Sequence, residues 1–382
     1  MIPKVTQVVQ ILLAGSAAYF LLHVLLTRSA HAPWTTQVPE FARSAFASGT
    51  YDHIHNETLG FEKVYAIGLP ERTDKRDFLS VAASLSGFKV EWLNGVRPDS
   101  LIQKAMPKGI NLEEGTKTIY AAWRAHMNVL TKIVEDSIST ALILEDDADW
   151  DVNLKSQLTV FADGLHTIKD NKHISRDAPY GTDWDVLWVG TCISGPSSNE
   201  THFYAIPHDP TVASVKQRGG AVKMPESWTQ RYPQDSTRYV YHAENGCCLY
   251  GYAVSNRGAR RILAALSIDH LGEPVDNSLS HMCGGLGDRP RIDCYAPSPG
   301  IIGTFRRAGS AAQDSDIETY DKDSYHEARS YNMVYSAKLN IHRLVAGGRT
   351  VYNQWQDEPE QWQMKELELG KFQYSGGFLV DL

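Results

Sequence analysis

A five-residue apolar run, Thr140 to Leu144 (TALIL), breaks directly into Glu145, Asp146, Asp147, Asp149 and Asp151 (EDDADWD), five carboxylates within seven residues. A continuous apolar run of this length reads as a strand buried on both faces, as in a parallel sheet covered by helices. Carboxylates so closely spaced repel one another unless water or a cation screens them. In open α/β sheets, the crevice beyond the carboxyl ends of the strands is where ligands bind. A hard divalent cation is a natural partner there, and Mg²⁺ or Mn²⁺ on one or two carboxylates can also take up nucleotide phosphates. The competing reading is an acidic loop that caps the following helix. An EF-hand is excluded, because its Gly and final Glu are missing at their required spacing.

The flanking sequence supplies the rest of such a sheet. Phe61 to Leu69 (FEKVYAIGL) is short, largely apolar and stops at Pro70, so it reads as a strand. Arg72 to Leu85 places Phe78, Val81, Ala82 and Leu85 at helical spacing and ends at Gly87. Phe88 to Leu93 predicts a second strand. Thr118 to Asp136 predicts a long helix with Ile119, Ala122, Trp123, His126, Val129, Leu130 and Ile133 on one face. Trp184 to Gly190 and Tyr250 to Val254 read as further strands, the latter leading into a helix from Asn256 to Leu266. A helical pattern also runs from Tyr331 to Leu344. The βαβα order predicts a doubly wound, Rossmann-like α/β sheet. A basic cluster after the first strand, Arg72, Lys75 and Arg76 with Asp74 among them, reads either as a face for ribose and phosphates or as an exposed, solvated first turn.

The amino terminus points to a membrane. Val8 to Leu26 is 19 residues without a formal charge, and a helix of that length spans roughly 28 Å. This predicts a signal-anchor over residues 1–30, a stem over 31–60 and a lumenal body in the Golgi or endoplasmic reticulum. Ala30-His31-Ala32 offers a signal-peptidase site, and cleavage there would make the chain secreted. Asn56-Glu57-Thr58 and Asn199-Glu200-Thr201 are N-glycosylation acceptors consistent with a lumen. The five cysteines include no C-x-x-C pair, which argues against structural zinc. An oxidising lumen predicts one or two disulfides with at least one thiol left over. The net charge of −8, without a basic block, excludes a nucleic-acid partner.

These blocks resemble glycosyltransferase family 25, the lipo-oligosaccharide and collagen galactosyltransferases, and look most similar to its anchored members in filamentous fungi. The family's opening N-L-x-x-R-x-D-R-R is matched by IGLPERTDKR at Leu69, Arg72, Asp74 and Arg76, with Gly68 in the Asn place. Its G-C-x-x-S-H is matched only at His126, since Ala121, Ala122 and Ala125 replace Gly, Cys and Ser. LILEDD, from Leu142 to Asp147, is complete. GYAVSNRGARRIL, from Gly251 to Leu263, matches a later S-x-x-G-A block and is followed by Pro274-Val275-Asp276. The resemblance covers residues 61–317 and leaves 318–382 as a carboxy-terminal extension that packs on that domain.

The resemblance implies a GT-A-like mixed sheet and a metal-dependent, inverting transfer of a hexose, galactose first, from a UDP-sugar to a glycan or glycoprotein acceptor. Glu145, Asp146, Arg72, Asp74, Arg76 and His126 would then face the nucleotide sugar, His126 being otherwise a core histidine. Asp147 and Asp149 would hold Mn²⁺ or Mg²⁺, the literal D-x-D at Asp147 to Asp149 leaving the register open. Inversion needs a general base for the acceptor hydroxyl. Asp276 comes first, then Glu273 and Glu244, with a helix cap and a polar turn as the bland readings of Asp276 and Glu244. Asp314, Asp316 and Ile317 read either as a flap over the donor or as an ordinary surface loop. Two other functions compete: a catalytically silent glycan- or protein-binding module, motivated by the altered motif positions, and a metal-dependent phosphohydrolase using the same carboxylates.

Overall fold

The structure is a computed structural model that describes residues 49, 51–112, 116–170, 175–197, 200–218, 224–317, 323–372, 374 and 376–381. The expected anchor and Asn199 lie outside the described residues. Among those described, no helix is long and apolar enough to cross a membrane.

Strands β1 (Lys63–Gly68), β2 (Glu91–Asn94) and β3 (Thr140–Glu145) are parallel, with β1 between the other two. On its other side β3 meets β9 (Gly251–Ser255) antiparallel, and β9 in turn meets β5 (Val186–Gly190) antiparallel. The sheet continues through β10 (Cys294–Ser298), β8 (Arg238–Cys247) and β7 (His202–Ile206) to the carboxy-terminal strand Phe378–Asp381. Strand β6 (Ile193–Pro196) branches from β8. The sheet is mixed, as the resemblance implied, and the parallel setting read for TALIL from its apolar run holds only on the β1 side. Burial on both faces makes an apolar run whichever way the neighbouring strand points, so the pattern reports burial and not direction.

Alternation along the strands divides the core between the two faces. Tyr65, Ile67, Ala141, Ile143, Val186 and Trp188 face the helices Lys117–Glu135, Asn256–Leu263 and Val275–Gly284. Val64, Ala66, Leu142, Leu144, Leu187 and Val189 face the helices Thr73–Leu85 and Leu154–Ile168. Thr73–Leu85 buries Leu79, Ala82 and Ala83, so its inner face is rotated from the expected one and leaves Val81 and Leu85 exposed. This layered mixed α/β architecture fits a GT-A-like fold.

The S-x-x-G-A block proves to be architecture. Ser255 caps the Asn256–Leu263 helix by accepting from the Gly258 N–H at 3.0 Å. A Cβ on Gly258 would stand 2.3 Å from the Asp185 carbonyl oxygen. Arg257 and Arg261 from the same block both pair with the buried Asp185 carboxylate. Gly258→Ala is therefore expected to destabilise the protein by about 1–3 kcal/mol through overpacking, measured as a lower midpoint in chemical denaturation. The expected helical stretch Tyr331 to Leu344 shortens to Ile341–Val345. Residues before it instead turn their main-chain N–H groups onto carboxylates, Tyr335 onto Asp151 at 3.0 Å and Lys338 onto Asp149 at 3.2 Å. Two disulfides, Cys192–Cys248 and Cys283–Cys294, agree with the expected one or two, and Cys247 is a free thiol.

Candidate active site

Because β1 and β3 are parallel neighbours, their carboxyl ends open on one edge of the sheet, and the Glu145-Asp146-Asp147 turn lies across it. A cleft of about 170 Å³ forms there between this turn, Gly68, Lys75, the alanine face of the Lys117–Glu135 helix and Arg306. A second cleft of about 300 Å³, reaching Cys248, Leu249 and Asp276, shares His126, Glu145 and Tyr250 with the first. The two therefore meet along a common wall.

Local sequence explains this shape. A Cβ at Gly68 would approach Asp146 Oδ2 to 2.8 Å, so glycine at this position lets the acidic turn fold close over β1. Ala121, Ala122 and Ala125 line the first cleft, where larger side chains would fill it. After Asp147 the chain forms β4 (Ala148–Trp150), antiparallel to β11 (Ile302–Arg306). The Phe305 N–H donates to the Asp147 carbonyl at 2.8 Å. That register delivers the next side chain, Arg306, onto the Asp147 carboxylate.

The site is densely charged. Lys75 Nζ lies 3.1 Å from Asp146 and 3.0 Å from Asp316. Burial pushes the Asp146 carboxyl up to about 6 even though Lys75 opposes it. Burial acts most strongly on Asp147 as well, but Arg306 and Lys75 outweigh it and hold that carboxyl below its ordinary value. Lys338, deeply buried behind the turn, is drawn down to about 8 by burial against the pull of Asp149, Asp147 and Asp146. The buried His126 ring places Nδ1 3.1 Å from the Tyr252 hydroxyl and Nε2 3.6 Å from Glu145.

The residues singled out from sequence fall into two groups. His126, Glu145, Asp146 and Asp147 meet in the first cleft, and Asp276 lines the second. Asp276 Oδ2 accepts from the Cys248 N–H at 2.9 Å and the Cys247 thiol at 3.3 Å. Arg72 and Asp74 pair at 3.0 Å and border a smaller cavity beside the first cleft.

Arg76 turns away from the clefts: it donates to Gly68 O at 2.9 Å and Asn94 Oδ1 at 2.7 Å and lies over the Trp92 ring. Asp149 is fully buried and accepts from Trp150 N–H, Lys338 N–H, Ser330 Oγ and Ser336 Oγ, which leaves it no open side for an ion. Glu273 faces His281 at 3.8 Å, and Glu244 pairs with Arg291 at 3.2 Å; neither lines the clefts. Exposed Asn56 accepts from Thr58 N–H at 2.8 Å, a tight local turn within its own acceptor triplet. Arg306, Lys338 and Tyr250 belong to the site without having been singled out, and Lys75 had been read only as one of the basic cluster.

No protein-family model matches the chain. Procollagen galactosyltransferase 1 of Danio rerio is 20% identical over 288 residues, which cover 69% of this chain and 39% of that protein. The chain thus spans well under half the length of this relative. The similarity is weak.

Proposed function

We propose that the chain is a metal-dependent, inverting glycosyltransferase that moves a hexose, galactose first, from a UDP-sugar to a glycan or glycoprotein acceptor. The observation that carries this reading is the half-paired Asp147 carboxylate. One oxygen takes Arg306, while Oδ1 is buried and has no hydrogen-bond partner among the described residues. A lone free carboxylate oxygen beside Asp146 suits Mn²⁺ or Mg²⁺, whose other ligands come from water and substrate phosphates. Asp147 would hold the ion, which when bound neutralises charge developing on a leaving diphosphate.

The chain's own groups carry the rest. Lys75 and Arg306 bring positive charge to the donor cleft, where it offsets the phosphates and holds them in register. The adjoining cleft takes the acceptor, with Asp276 as the base that receives the hydroxyl proton. The Cys248 N–H and Cys247 thiol fix the orientation of that carboxylate. Both disulfides accord with work in an oxidising lumen, Golgi or endoplasmic reticulum.

The test is UDP release from a panel of UDP-sugars with Mn²⁺, with and without a chelator. Release that stops in chelator and returns with Mn²⁺ is the expected result. Undiminished release in chelator removes the metal from the mechanism. Silence with every donor, alongside retained glycan binding, favours a binding module instead.

A further inference from the structure

Resting on the reading of the first cleft as a diphosphate site, a further feature of its charge concerns how that site is kept when empty. Three cations stand at or beside it, Lys75 and Arg306 in its wall and Arg72 in the adjoining smaller cavity, and each is shared between two carboxylates. Arg72 pairs with Asp74 and Asp316, Lys75 with Asp146 and Asp316, and Arg306 with Asp147 and Asp314. In every pair the first carboxylate belongs to the framework around β1 and β3. The second comes from the short segment 314–316, more than 200 residues away from Arg72 in sequence.

Among the described residues the segment has further ties, one of them the Asp314 N–H donating to the Ala311 carbonyl at 3.1 Å. The Gln313 carbonyl accepts from Arg72 at 2.8 Å, and Asp314 accepts from His326 Nε2 at 2.8 Å. Asp314 Oδ1 is buried without a hydrogen-bond partner among the described residues. Asp316 and its neighbours Ser315 and Ile317 form part of the wall of the first cleft, and Asp314 lines the smaller cavity beside it. The three cations are mostly enclosed, their side chains between 12% and 19% exposed. Enclosed cations need anions nearby, because desolvation is otherwise uncompensated.

We propose that Asp314 and Asp316 are internal surrogates for the two phosphates of the donor, and that a nucleoside diphosphate binds by exchanging them off Arg72, Lys75 and Arg306. For the doubly esterified diphosphate of a nucleotide sugar the exchange conserves charge, one carboxylate leaving for each singly charged phosphate that arrives, while the terminal phosphates of UDP and pyrophosphate bring additional charge that Mg²⁺ offsets. The framework carboxylates Asp74, Asp146 and Asp147 keep their hold on the cations throughout, so the site does not collapse or fly apart in either state. Because the chain's own anions compete with the ligand, apparent affinity is lowered by the fraction of molecules whose cations are occupied. A ligand with one phosphate displaces only one surrogate and gains less from their removal.

Calorimetric titration of the full chain with UDP, UMP and inorganic pyrophosphate, each with Mg²⁺, tests this. Asp316→Asn and the double variant Asp314→Asn/Asp316→Asn are compared with the parent, and melting curves check that each variant is folded. The expected result is UDP and pyrophosphate binding tightened by about tenfold, with a smaller gain for UMP. Unchanged or weaker UDP and pyrophosphate binding in the folded variants overturns the surrogate role and leaves the diphosphate site standing. Absence of binding by both ligands, in parent and variants alike, removes the diphosphate site and the surrogates together. Pyrophosphate carries no base or sugar, so its tightening supports the exchange whichever donor the protein uses.

Discussion

Asp147→Ala is expected to fold normally and to lose UDP release by about 10³-fold or more, because it removes the unpartnered carboxylate oxygen proposed to hold an ion at the leaving diphosphate. The fold has little reason to respond. The Asp147 carbonyl, which accepts from Phe305, survives the substitution. Its side-chain Oδ1 has no hydrogen-bond partner among the described residues to lose. Arg306 keeps Thr304 Oγ1 at 2.9 Å and Asp314 at 3.9 Å, so it is not stranded as an unpaired buried charge. Steady-state UDP release beside a melting curve separates the two effects. A variant that turns over at the parental rate would show that the chemistry lies elsewhere.

What could be read from the residues, and what could not, follows from how far apart the interacting groups are in sequence. TALIL, VYAIG and VLWVG announce buried strands because each is apolar on both faces, and each was found within two residues of its expected place. Sequence cannot show that β9 runs antiparallel between β3 and β5, since pairing direction depends on connections and not on local pattern. The basic cluster after β1 was visible, but a three-residue stretch cannot tell that Lys75 enters the cleft while Arg76 turns back to Asn94. Arg306 was invisible as a site residue because it lies 159 positions from Asp147 and arrives only through the β4–β11 register. The S-x-x-G-A block carried much of the family resemblance, yet its Ser255 and Gly258 serve a helix cap and a close backbone approach.

The D-A-D spelling from Asp147 to Asp149 offers two aspartates with opposite expected behaviour, and Asp149→Ala gives the larger stability effect. Its Oδ1 accepts from the Trp150 N–H at 2.8 Å and the Lys338 N–H at 3.2 Å. Its Oδ2 accepts from the Ser330 hydroxyl at 2.6 Å and from Ser336. Truncation strands four donors in a buried site and takes from Lys338 a neighbouring counter-charge. The expected cost is about 3–5 kcal/mol, as for other buried charges stripped of their partners. Asp149→Asn retains one acceptor oxygen and is expected to fall between the parent and the alanine variant. Chemical denaturation midpoints give the ranking. These contacts tie β4 to the segment from Ser330 to Lys338, so loosening them also frees the carboxy-terminal residues from the sheet that carries Arg306. Asp149→Ala that melts like the parent but no longer releases UDP would reverse the assignment, putting Asp149 in the chemistry and Asp147 in the scaffold.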